Sequence, residues 1–260
     1  MRTLARALAL AVALPGALAA QDRGCTQGDG IYLTRVCYGA QQRDRAYGHN
    51  VLGNTQEWTS LGLSATAIGQ SALNLPGPVA SIGIPVPLIF EDIAPRIVDV
   101  SGDGLPDIVT IVSSPGDGAS LTVYDLANAD LASTRPIGQT NRWLAPVGIA
   151  DFDADGRIDI AYVEQPHLAK TLRVVSYTQT DSGPILSEVD NLTGLTNHRI
   201  GDAFIQGGVT NCGKGPVIYT ADENWRSVMQ TRLTRDGLQT RAVGPYVDRT
   251  SFAPYLACQR

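Results

Sequence analysis

The sequence predicts an all-β fold assembled from repeated four-stranded units, and three observations predict it. An acidic nine-residue loop occurs twice, short β-branched runs flank each copy, and the flanking pattern repeats in step with the loops. Residues 99–107 read D-V-S-G-D-G-L-P-D and residues 151–159 read D-F-D-A-D-G-R-I-D, 52 residues further on. Ile97-Val98 leads into the first loop and 107–112 leaves it; 158–163 leaves the second. Such apolar runs bounded by Gly and Asp read as strands, so each loop joins two strands of a hairpin. Ser120–Tyr124 and Thr171–Tyr177 supply third strands, and about 130–137 and 185–190 weaker fourth ones.

Four strands per unit of 40–55 residues is the pattern of a β-propeller blade. The clear units run over about 90–142, 143–197 and 198–246. In the third, Gly208–Gly215 takes the loop position without its acidic residues, and Val217-Ile218-Tyr219 is the second strand. Residues 45–89 read as a further unit, with strands at Val51-Leu52-Gly53, 58–63 and 81–86. About five blades are expected over 47–260, alternatively four, after an N-terminal segment 21–46.

Each nine-residue loop places side-chain oxygens at positions 1, 3, 5 and 9: Asp99, Ser101, Asp103 and Asp107, then Asp151, Asp153, Asp155 and Asp159. With the position-7 carbonyl of Leu105 or Arg157, these supply most of the six- or seven-oxygen shell of a hard cation. Gly104 and Gly156 allow a sharp backbone turn at position 6. Two structural Ca2+ ions are therefore expected. An EF-hand is excluded, because its position-12 Glu is here Thr110 or Tyr162.

The pattern hydrophobic-x-D-x-D/S-x-D-G-x-x-D-hydrophobic, present twice and decayed once, resembles the FG-GAP/VCBS-type repeats of integrin-α-like propellers. The resemblance covers about 90–246, and the chain looks like the small secreted bacterial members of that family. It implies a calcium-loaded propeller and leaves activity open. Integrin-like propellers take ligands on the face opposite their calcium loops, and the resemblance makes that face relevant here.

Residues 1–20 read as a signal peptide: Arg2 and Arg6, an apolar run over 7–14, then small residues with cleavage after about Ala19 or Ala20. The apolar run is too short to span a bilayer, and no other stretch approaches the ~20 residues needed. A secreted or periplasmic protein with no integral membrane segment is expected. The formal charge is −5, and loss of Arg2 and Arg6 with the leader takes it to −7. An acidic surface argues against nucleic acid as partner.

Four cysteines in an oxidising compartment allow three pairings. The one favoured here is Cys25–Cys37 as a local clip and Cys212–Cys258 tying the C-terminal tail to the third unit. Cys212 aligns with Asp153, so a covalent bond there would replace the cross-link an ion gives elsewhere. A Cys-based zinc site is not expected without a Cys-x-x-Cys spacing.

In a propeller the strand 2–3 loops and the blade-to-blade connections lie opposite the calcium loops. They carry Arg142, Trp143, His167, Lys170, His198, Arg199, Asp222, Trp225 and Arg226, with His49 and Trp58 as further candidates. Exposed aromatics and guanidiniums beside a group titrating near neutrality suit a recognition surface. The competing readings are that Trp143 and Trp225 pack at blade seams and that His167 is an ordinary loop residue. No Gly-x-Ser-x-Gly, His-Glu-x-x-His or phosphate-cradling glycine loop occurs. A non-catalytic binding module for a protein or glycan is the leading expectation. The alternative is a carbohydrate-active lyase or hydrolase using Glu164, His167, Lys170 and Asp222 as acid and base, with Arg199 or Arg226 neutralising a uronate. A subunit of a larger envelope complex is a third reading.

Overall fold

Antiparallel hairpins dominate the computed structural model, which describes residues 24–41, 47–53 and 57–260. The expected signal peptide lies outside the described residues. Strands β1 (Cys25–Gln27), β2 (Leu33–Gln41), β3 (Trp58–Ala65) and β4 (Val79–Gly83) form one four-stranded group, with helix α1 (Ala67–Ala72) between β3 and β4. Strands β5 (Ile89–Phe90), β6 (Arg96–Val98), β7 (Asp107–Ser114), β8 (Gly118–Asp125) and β9 (Asp130–Ser133) follow. Strand β5 pairs with both β3 and β7, which fuses the two groups into one nine-stranded sheet. A second sheet holds β10 (Leu144–Ala150), β11 (Asp159–Glu164), β12 (Thr171–Thr180) and β13 (Gly183–Thr193). The third holds β14 (Leu195–Thr196), β15 (Gly208–Asn211), β16 (Pro216–Asp222), β17 (Ser227–Thr234) and β18 (Gly237–Pro245). A 3-10 turn (Arg249–Phe252) and helix α2 (Ala253–Leu256) end the chain.

The three repeats read from the sequence each form a four-stranded antiparallel group, and the chain is all-β in the manner of a propeller. Among the described residues there are four such groups, where about five or, alternatively, four blades are expected from the sequence. Val51-Leu52-Gly53 is a turn, not a strand. Gly48 before it and Gly53 within it have φ of 70° and 73°, so the backbone curls there and drops Val51 and Leu52 into the central core. The first group draws its strands from β1 and β2 instead, clipped together where Cys25 and Cys37 face each other in register.

Two-residue alternation lets one strand serve two cores. On β11, Ile160 and Tyr162 face the unit before, joining Val109, Ile111, Leu121 and Trp143. Ala161 and Val163 face the unit after, with Leu172, Val174, Leu195 and Ile218. The far side of the first repeat packs on the N-terminal group through Ile108 and Tyr124. The far side of the third repeat, where a closed ring would continue, is covered by Phe252, Tyr255 and Leu256.

The first strand of a unit is where the repeats differ. In the second unit it is continuous, with one bulge between Pro146 and Gly148. In the first and third it is split: β5 and β6 both pair with β7, and β14 and β15 both pair with β16. The chain between the halves, 91–95 and 197–207, leaves the sheet and carries Glu91, Asp92, Asn197 and His198.

Candidate functional site

Both acidic loops are hairpin connections at the same place in their sheets. Val98 pairs with Asp107 on one side of the first loop, and Ala150 with Asp159 on one side of the second. Their backbones match as well. Position 4 has positive φ in both (Gly102 79°, Ala154 62°), as does position 6 (Gly104 86°, Gly156 89°). A side chain at position 6 would be strained by conformation alone, which is why glycine stands there twice.

The carboxylates organise these turns in the same way. Asp99 Oδ2 accepts from Gly104 N at 2.9 Å, and Asp151 Oδ2 from Gly156 N at 3.0 Å. The position-5 side chains accept from the position-7 amide at 2.8 Å in both, Asp103 from Leu105 and Asp155 from Arg157. Asp107 Oδ2 accepts from Val100 N and Ser101 N, and Asp159 Oδ2 from Phe152 N. Each loop is thus pre-shaped by bonds that use some carboxylate oxygens and leave others turned inward.

A cation fits what remains. Ser101 Oγ and Asp107 Oδ1 are buried without a hydrogen-bond partner, a costly arrangement for polar oxygen unless something positive satisfies it. Ligand oxygens of Asp151, Asp153 and Asp159 lie within 4.8 Å of one another and could hold a metal ion. All these donors are hard oxygens, the set that suits Ca2+. Burial pushes Asp107 up to about 6, aided by the negative charge of Asp125. Burial also raises Asp159. Asp155 is at the surface, and its bonds to Arg157 hold it low.

The third loop is shorter. Asn211 pairs with Pro216, so only 212–215 connect the strands where 99–106 and 151–158 do so elsewhere. In this register Cys212 takes the first loop position, that of Asp151, rather than that of Asp153. It is bonded to Cys258, and Cys25 to Cys37.

At the opposite ends of the strands, the expected face divides into two clusters. In the first, Trp143 and His198 are almost wholly inaccessible at 1% each. Trp143 Nε1 donates to the Glu91 carbonyl at 2.7 Å, and its ring meets the His198 ring edge-on at 4.8 Å. His198 Nε2 lies 2.9 Å from the Asp202 carbonyl and must donate there, so its Nδ1 accepts from His167 Nε2 at 3.0 Å. Burial drives His167 down to about 4, and lowers His198 as well. His167 is thereby held well below neutrality, and neither Trp143 nor His198 offers exposed recognition area. Trp143 is seam packing, the competing reading of the sequence.

The second cluster is at the surface. The exposed Arg199 guanidinium lies 4.5 Å over the Trp225 ring and 5.5 Å from Tyr246. Trp225 meets Tyr246 edge-on at 5.0 Å. Ile200 and Val247, beside this stack in the chain, are 72% and 80% exposed. Asp222 Oδ1 accepts from the amides of Arg226 and Ser227, holding the turn that presents Trp225. Lys170 Nζ donates to the Glu223 carbonyl at 2.8 Å, and Glu164 is paired with Arg173. Arg142 bonds its neighbour's carbonyl, from Nη1 to Asn141 O, and Trp58 packs against the N-terminal core.

Sequence reasoning missed Glu91, which binds His49 Nδ1 at 2.8 Å through Oε1 and accepts from Ser113 through Oε2. It also missed Tyr246, because nothing local marks a residue whose partners are 20 to 50 positions away. Val51 O accepts from Gly201 N, so 47–53 ties the first split strand's insert to the third's. Among the described residues no helix is long and apolar enough to cross a membrane.

Residues 99–162 match the family model described as FG-GAP-like repeat, and the chain carries a repeat of that type. The matched span begins on the first residue of the first acidic loop and closes just past the second. No curated protein and no solved structure matches the chain.

Proposed function

We propose that this chain, with its FG-GAP-like repeat over 99–162, is an exported, calcium-stabilised propeller-type module that binds a protein or glycan without catalysis. The two loops that hold Ca2+ lie at one end of the strands: Asp99, Ser101, Asp103, Asp107 and the Leu105 carbonyl in the first. The second uses Asp151, Asp153, Asp155, Asp159 and the Arg157 carbonyl. Ligand is taken at the other end, on the surface around Arg199, Trp225 and Arg226. The two disulfides support an oxidising compartment.

The observation that carries this reading is the pairing of two conformationally matched acidic hairpin loops with buried, unpartnered oxygens in one of them. The binding role is supported by the exposed guanidinium–indole stack flanked by Ile200 and Val247, since hot spots favour Trp, Tyr and Arg. The groups considered for acid–base chemistry point elsewhere: Glu164 pairs with Arg173, Lys170 bonds a carbonyl, and Asp222 caps a turn.

The test is a thermal melt with and without chelator, with metal content read on the same sample. It is joined to a capture assay comparing wild type with Arg199→Ala and Trp225→Ala. The expected outcome is bound calcium, a lower melting temperature after chelation, and weakened capture by both variants at near-native stability. Absence of calcium in untreated protein would end the metal reading. New reducing ends or unsaturated product from acidic polysaccharides would replace binding by catalysis.

A further inference from the structure

We propose that the two ion loops are unequal: the first is the tight site, and the second is a weaker one because Arg157 already lies within its carboxylate set. The proposal rests on the calcium reading above and concerns how the chain's own residues divide the task.

The two loops differ in what surrounds an otherwise matched backbone. In the first, position 7 is Leu105, and Asp103 Oδ1 is engaged only by the Leu105 amide. In the second, position 7 is Arg157. Its Nε and Nη2 donate to Asp155 Oδ2 at 2.8 and 2.6 Å, while its amide donates to Oδ1. Both oxygens of that carboxylate therefore have donors before any cation arrives. Arg157 is the only Lys or Arg within ion-pair distance of a loop carboxylate among the described residues.

The strand behind each loop reinforces the difference. Asp159 pairs in register with Ser176, whose hydroxyl donates to Asp159 Oδ1. The partner next to Asp107 in the equivalent register is Asp125, one step beyond the Ile108–Tyr124 pair. Asp125 is itself a buried carboxylate, held by Asn128 and Tyr177. Asp125 thus brings the first loop's three carboxylates to four, the number the second already has in Asp151, Asp153, Asp155 and Asp159; the second differs in having a donor at its back and the Arg157 cation among its four. Its Ser101 Oγ and Asp107 Oδ1 stay unpartnered, whereas Asp159 has donors on both oxygens. Negative charge without internal compensation is what draws a divalent ion, and an internal cation competes with it.

Calorimetric titration of calcium into chelator-stripped full chain tests this. Two classes of site are expected, roughly tenfold or more apart. Arg157→Leu, which gives the second loop the residue of the first, should tighten the weaker class about three- to tenfold and leave the tighter unchanged. Leu105→Arg should weaken the tighter class by a similar factor. If the weaker class falls below detection, one site should remain, lost in Asp107→Asn and kept in Asp159→Asn. Two equal classes indifferent to Arg157→Leu, or a surviving site lost in Asp159→Asn instead, would overturn the proposal. No heat and no shift in melting temperature with any variant would instead remove the calcium reading itself.

Discussion

Asp107 is where burial and charge oppose each other most directly. It is wholly inaccessible, sits near the Asp125 carboxylate, and is raised to about 6 without a cation. An unfolded Asp titrates near ~3.9, so the folded state binds more protons between these values. The metal-free protein is favoured by this group at low pH and loses that contribution as pH rises through about 6. On the proposed calcium reading, a bound ion would remove the penalty by stabilising the ionised form. The rise in melting temperature on adding calcium should therefore be larger at pH 7 than at pH 5, and Asp107→Asn should flatten that dependence. Trp143 and Trp225 separate just as cleanly. Trp143→Ala opens a cavity in the central core and orphans the Glu91 carbonyl, so denaturant melts should show a loss of about 3–5 kcal/mol. Trp225→Ala, at a half-exposed turn, should cost about 1 kcal/mol. The sequence places both tryptophans in loops of one face; Trp143 immediately precedes β10, and Trp225 lies between β16 and β17. Which one is buried depends on 91–95 and 197–207 folding over Trp143, and those contacts span 50 residues or more.

At the scale of elements, close approach between units is set by small residues. A Cβ on Gly148 would lie 2.4 Å from Val209 Cγ2, where β10 passes β15. Gly148→Ala should therefore wedge the second and third units apart at a cost of about 1–3 kcal/mol. Pairing it with Val209→Ala should recover much of the loss; a double variant no more stable than the single would show that backbone strain, not this contact, is responsible. The hairpins themselves were legible because alternation and turn residues are local signals. β7, β8, β11, β12 and β16 lie where β-branched runs placed them, and the acidic loops join the strands expected. The split first strands were not legible. Ile89-Phe90 and Leu195-Thr196 are two residues long, and pairing with β7 or β16 defines them more than their composition does. Val51-Leu52 was misread as a strand for the converse reason: three apolar-leaning residues carry no period, and only the surrounding cores decide that they fill a centre.

For the whole molecule, the ends are as informative as the repeats. The outer face of the third unit is closed by the C-terminal turn and α2, and Cys212–Cys258 ties this tail to the loop that lacks acidic ligands. Replacing both cysteines by Ser should cost about 2–4 kcal/mol and raise amide exchange over 249–258 first. Uniform loosening across all sheets would contradict a local anchoring role. Loss of calcium should act elsewhere, on the hairpins around 99–107 and 151–159, so the two perturbations should be additive. The sequence by itself determined the repeat, the strand period, the two oxygen-rich loops and an even cysteine count that allowed three pairings, because each is written within a few neighbouring residues or by count. Tertiary structure alone decided the number of four-stranded groups, the burial of Trp143 and His198, and the guanidinium stack on Trp225. It also decided which carboxylate faces Asp125 and which faces Ser176. Those outcomes depend on side chains brought together across sheets, where desolvation and charge are fixed by neighbours that the linear order keeps far apart.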